Sequence, residues 1–290
     1  MQRGTENGIP RVTGPTPGEL VRYSVILGGR ALVRGGGREA AWRVWMPLDI
    51  DRVVELPWTA GVVMNEGAAR VLDLASPKLL AVWLAEHTPA KVVATDLWST
   101  EIDRWRRLVR AADPSGRRFA GLELETADGT ALRYEDGSFD VAYSVSVIEH
   151  IPDDGDGKAM SELARVLRPG GLLVLTFPYR RQLEETWVEH DVYGERFDGQ
   201  PLFFCRHYSA DAVQERLLAD GAFDVAQQVL WRKAGVPEAQ ARAHKIIPAG
   251  WPVGHLLGPI LPILGRRAMQ VGSVDDPGPD NVLGLALRRR

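Results

Sequence analysis

The chain has 290 residues, enough for one large domain or two modest ones at ~150 residues per domain. It is 45% hydrophobic and 25% charged, with a formal net charge of -3, which excludes wholesale disorder and any overall basic footprint for nucleic acid or anionic membrane. The single cysteine, Cys205, excludes an internal disulfide framework and a cysteine-only zinc cage, and makes a reducing cytoplasm the expected compartment.

Residues 1–18 are polar and rich in Gly and Pro and read as a flexible tail without a signal peptide. Residues 19–66 read as an N-terminal helical cap, in which Pro57 limits any helix before it. A cofactor-binding core is expected over 67–180. Short apolar runs at 69–75, 91–97, 122–126, 139–145 and 171–177 predict strands buried on both faces. Helical spacing fills the gaps at 77–87, 100–112 and 158–167. This alternation predicts an α/β fold, a doubly wound and mostly parallel Rossmann-like sheet with helices on both faces. Further strands at 222–230 and 281–287 bring it to about seven. Residues 181–290 would shape the substrate side and complete the sheet. The apolar window 250–265, which contains 251–264, is too short and too proline-broken to span a membrane. It reads as core, an apolar lid or a dimer contact, with a homodimer or a heteromeric partner left open.

In doubly wound sheets the ligand lies beyond the carboxyl ends of the strands. The first strand ends in Asp73-Leu74-Ala75-Ser76-Pro77-Lys78. Ser76 suits an N-cap and Pro77 the first helical position. Asp96 ends the second strand, where a carboxylate can accept two hydrogen bonds from a ribose diol or cap a helix. Ser99 and Thr100 are available as caps in its place. Asp128-Gly129 follows the third strand, either as a ligand contact or as a tight turn. Asp140 starts the fourth strand and reads as structural. Ser144 ends it, and Glu149-His150 follow.

The segments VLDLASPKLL, ATDLW, ADGTALRYEDGSFDVAYSVSVIEHI and ARVLRPGGLLVLTFPY together resemble the class I S-adenosylmethionine-dependent methyltransferases of the small-molecule, methyltransferase-11-like type. The resemblance implies S-adenosyl-L-methionine as cofactor. It implies that Asp73, Ala75, Ser76 and Ser144 line the methionine side. Asp96 would hold the ribose, with Leu97 against the adenine, and Asp128 would accept from the adenine amine beside Gly129. The chain departs from the family where its D-x-G-x-G turn has glycines, at Ala75 and Pro77. The reading therefore requires a nucleoside to lie over those two residues, in a crevice the chain leaves open.

The expected activity is methyl transfer to an oxygen or nitrogen of a small-molecule acceptor, such as a natural-product intermediate. The alternative is the same fold without methyl transfer, catalysing a cyclisation or serving as a non-catalytic partner subunit. The missing glycines favour it. Methyl transfer needs alignment, and a hydroxyl acceptor also needs a base. His150 is one base candidate. His190 beside Asp191 is another, within an aromatic-rich segment at 179–208. A Glu149–His150 dyad is not expected on a helix, where neighbours diverge. No histidine pair has metal-ligand spacing, and neither nucleic acid nor a membrane is an expected partner.

Overall fold

The structure is a computed structural model that describes residues 5–6, 9–10, 14–192, 196–233, 261–275, 277–278 and 280–290. Three helices precede the first core strand: α1 (Pro17–Leu32), α2 (Gly37–Trp45) and α3 (Arg52–Asn65). Thr16 and Glu19 form a reciprocal capping box at the start of α1. Contrary to expectation, α3 runs through Pro57. An interior proline costs about 3 kcal/mol. Burial of Val53, Leu56, Trp58, Val62 and Val63 on that helix outweighs it, at about 1.5–3 kcal/mol for each large side chain.

The core then alternates as β1 (Arg70–Leu74), α4 (Leu79–His87), β2 (Lys91–Asp96), α5 (Ser99–Ala112), β3 (Leu122–Thr126), β4 (Phe139–Val145), α6 (Gly155–Val166) and β5 (Leu167–Tyr179). A separate hairpin follows, β6 (Glu184–Val188) with β7 (Leu202–His207). Then come α7 (Ala210–Ala212), β8 (Phe223–Lys233), α8 (Leu261–Ala268), β9 (Met269–Gly272) and β10 (Asn281–Arg289).

The main sheet has 8 strands in the order β9-β8-β10-β5-β4-β1-β2-β3. The five strands β1 to β5 pair in parallel, and β8, β9 and β10 add antiparallel partners. The doubly wound, mostly parallel architecture is the expected one. The count of seven is corrected to eight by β9, a four-residue edge strand whose pattern is too short to stand out in sequence. Alternate residues face opposite layers. Val71, Val92, Val141 and Val174 pack under α1, α3, α4 and α5, while Leu72, Val93, Ala142 and Leu173 pack under α6. The chain turns from β1 to β2 on one side and reaches β4 on the other. The switch point thus falls between β1 and β4.

At the opposite end of the sheet, Asp140 accepts from the backbone of Ala69 and Arg70 and pairs with Arg168. Its role is structural, as the sequence suggested. Gly171 follows Arg168 where a Cβ would meet the Arg168 and Asp140 carbonyls at 2.8 and 3.0 Å. Only glycine fits that entry into β5.

Most of the window 251–264 lies outside the described residues, as do half of the tail and Tyr193. Among the described residues, no helix is long and apolar enough to cross a membrane.

Candidate active site at the strand ends

The turn after β1 keeps an unusual backbone without a glycine. Ala75 has φ 55°, the left-handed region that side chains disfavour by roughly 1–2 kcal/mol. The turn is pinned from several sides. Asp73 Oδ1 accepts the Ser76 amide at 2.8 Å, and the Ala75 amide donates to the Thr95 carbonyl at 3.0 Å. Ser76 Oγ accepts the Val145 amide at 2.9 Å, and Ser144 Oγ donates to the Leu74 carbonyl at 3.1 Å. Both serines are buried and tie the turn to β4. Ser76 is therefore not the expected helix cap, because α4 starts later, at Leu79, with Lys78 as its N-cap.

Lys78 is the residue sequence reasoning passed over. It is only 1% exposed. Its ammonium donates to the Ser76 carbonyl and lies 3.9 Å from Asp73 Oδ2 and 3.6 Å from Asp96 Oδ2. The gap between the two strand-end acids is filled by the chain's own cation. Asp73 is fully buried, and its Oδ2 makes no hydrogen bond. Burial pushes its carboxyl up to about 6 against the pull of Lys78.

Asp96 Oδ1 accepts the Trp98 amide at 3.0 Å. Ser99 and Thr100 lie inside α5 and do not cap it. Leu97 and Trp98 are 52% and 42% exposed, an apolar surface beside the acid. Asp128 Oδ1 accepts from the Thr130 amide and hydroxyl, at 2.8 and 2.7 Å, so this oxygen serves a tight turn. Gly129 packs on the Leu74 side chain, where a Cβ would approach to 3.1 Å.

Beyond β4 and β5 the cap helix contributes a second cluster. Glu55 of α3 is fully buried, and its Oε1 accepts the Ser146 and Thr176 hydroxyls at 2.7 and 2.8 Å. Arg52 reaches both Glu55 and the Ser146 hydroxyl. Ser146, another non-glycine residue in the left-handed region, has φ 50°. No sequence signal joined α3 to these strand ends, because the partners are 91 to 121 residues apart.

Glu149 and His150 sit on the 3-10 turn Ile148–His150. His150 Nδ1 lies 2.7 Å from the Phe204 carbonyl, which fixes the tautomer with Nδ1 as donor and leaves Nε2 basic. Its Nε2 is 3.7 Å from Glu149 Oε1, too far for a hydrogen bond. Burial lowers the His150 pKa. Glu149 is 1% exposed, and its Oε2 has no hydrogen-bond partner. Burial pushes that carboxyl up to about 8. The β6–β7 hairpin closes against this turn. Arg206 donates to the Ile151 and Asp153 carbonyls, and Tyr208 donates to Asp156. His190 stands on the exposed loop of that hairpin, and Asp191 accepts the Phe197 amide. The structure thus gathers Asp73, Ala75, Ser76, Asp96 and Ser144 at one turn and leaves His190 on the surface.

Residues 72–175 match the family model described as a methyltransferase domain. Methyltransferase GfsG of Streptomyces halstedii is 33% identical over 139 residues, 44% of this chain and 46% of that protein. The 27-O-demethylrifamycin SV methyltransferase of Amycolatopsis mediterranei (strain S699) is 30% identical over 117 residues, 40% and 41% of the two chains. This chain therefore spans under half the length of these curated relatives. The crystal structure of geranyl diphosphate C-methyltransferase from Streptomyces coelicolor A3(2) superposes with a TM-score of 0.50 at 14% identity, over 83% of this chain and 82% of that one. At that identity the likeness speaks for the fold.

Proposed function

We propose, for a chain whose residues 72–175 match the methyltransferase domain family model, S-adenosylmethionine-dependent methyl transfer to an oxygen or nitrogen of a small-molecule acceptor. Both relatives described above are named methyltransferases, and one is named for a rifamycin. A natural-product intermediate is the acceptor class this favours.

The observation that carries the reading is the pair of strand-end acids around a turn with φ 55° at Ala75. That backbone keeps the shape of a glycine turn without its glycines. Asp96 Oδ2 lies 3.6 Å from the Lys78 ammonium, the buried Asp73 Oδ2 lacks a hydrogen bond, and Leu97 and Trp98 offer an apolar surface. This donor set fits a cationic nucleoside, on the condition that the Lys78 side chain withdraws from the gap. S-adenosylmethionine, when bound, supplies an electrophilic methyl on a sulfonium.

The rest is the work of the chain. Asp96 holds the ribose hydroxyls, Asp73 faces the methionine end, and Leu97 meets the adenine. His150 takes the acceptor proton on Nε2, because its Nδ1 is committed to Phe204. Its lowered pKa keeps it neutral and ready as a base at pH 7. The turn and hairpin hold that imidazole in one orientation, which serves alignment. His190 is the second base candidate, dependent on the hairpin folding over the acceptor.

A second reading is favoured by the burial of Lys78. If the ammonium is permanent, the fold is used without methyl transfer, for a cyclisation or as a non-catalytic partner subunit. One experiment separates the two. S-adenosylhomocysteine is expected to raise Tm, as a ligand at a hundred times its Kd stabilises by about 2.7 kcal/mol. Asp96→Ala is expected to abolish the shift. No shift at millimolar ligand selects the second reading. An unchanged shift in Asp96→Ala removes the ribose assignment.

A further inference from the structure

The chain is net acidic, yet its arginines are not evenly spread. A cavity of about 860 Å³ lies between the α1–α2 loop and α5, lined by Arg34, Arg38, Arg104, Arg107, Arg110 and Trp42. Its volume is within the range of small-molecule sites. Glu39, also in its wall, is paired with Arg43 at 3.1 Å. Arg104 is paired with Glu101 at 3.1 Å. Arg38, Arg107 and Arg110 have no carboxylate partner among the described residues.

Arg104, Arg107 and Arg110 are three residues apart on α5, so they share one face. Like charges at this spacing oppose helix formation by a few tenths of a kcal/mol each. A stripe kept against that cost is complementary to an anion. The loop facing it, Gly35-Gly36-Gly37, has open space beside Gly35 and Gly37. Arg107 lies eight residues into α5 from Ser99, about 12 Å along the helix at ~1.5 Å per residue. Arg104, nearer the helix start, also lines the cavity, and Asp96, Leu97 and Trp98 are not in its wall.

We infer that this cavity binds a small phosphate-chain anion, such as a nucleoside polyphosphate or an inorganic polyphosphate. Guanidinium forks match phosphate oxygens two at a time. A concave site suits a small anion better than an extended strand.

Calorimetric titration of the full chain with sodium tripolyphosphate and with ATP, in near-physiological salt, tests this. Both are expected to bind. Arg107→Gln/Arg110→Gln is expected to weaken each at least tenfold, and the single exposed change Arg38→Gln several-fold. The latter keeps the test valid if the double variant fails to fold. ATP binding tighter than tripolyphosphate assigns a nucleotide, and equal affinity assigns the bare phosphate chain. The inference fails if neither probe binds, if the variants bind as the parent does, or if sodium sulfate at equal ionic strength gives the same heat. It also fails if a single-stranded RNA oligonucleotide binds more tightly than either probe.

Discussion

The Lys78 ammonium lies 3.6 Å from Asp96 Oδ2, and this contact spans the gap where a ribose would be held. The ammonium and a ribose diol compete for the same carboxylate oxygen. Lys78→Met removes the cation and keeps most of the volume. The variant is expected to bind S-adenosylhomocysteine at least tenfold more tightly than the parent in a calorimetric titration. It should also be less stable, since removing one partner of a buried ion pair costs about 3–5 kcal/mol. Equal or weaker binding would show that the lysine does not compete with the nucleoside.

Ala75 tests the turn itself. Its φ of 55° is strained for alanine and easy for glycine. Ala75→Gly is expected to stabilise the chain by about 0.5–1 kcal/mol, the relief of strain less the added entropy of the unfolded glycine. Urea unfolding measures it. A loss of stability would mean that the alanine methyl is held by packing worth more than the strain.

Glu149 should give stability an acid-favoured pH dependence. Burial raises its carboxyl to about 8, and Asp73 is raised to about 6. Unfolded carboxyls titrate near ~4. Between those values the native state keeps protons that the unfolded chain has lost, so stability falls as pH rises from about 4 to about 8 and then levels. The Glu149 slope approaches about 1.4 kcal/mol per pH unit. Glu149→Gln keeps a neutral side chain throughout. Its urea midpoint should vary less across that range and exceed the parent's above it. Parallel profiles for the two proteins would assign the titration elsewhere.

His150 is assigned to proton removal. With an acceptor in hand, His150→Gln is expected to lower kcat by about 10²-fold or more, with S-adenosylhomocysteine affinity within about twofold. In the parent, the acid limb of kcat against pH should rise at a value below the ordinary ~6.5 of histidine, because burial lowers this group. Equal losses in turnover and cofactor affinity would make His150 a positioning residue for the turn.

Local pattern was enough to read the layered α/β fold. The runs that became β1, β2, β4 and β5 are apolar on both faces, and only burial between two helical layers suits them. Asp73 and Asp96 were also legible, because strand ends converge on one edge in any sheet wound this way. Three things lay outside its reach. The path of α3 through Pro57 depends on packing that the local rule does not weigh. The cluster of Glu55, Ser146 and Thr176 joins residues 91 and 121 positions apart. The direction of the Lys78 side chain was settled by the two acids, which draw a buried cation between them at a separation no sequence spacing encodes.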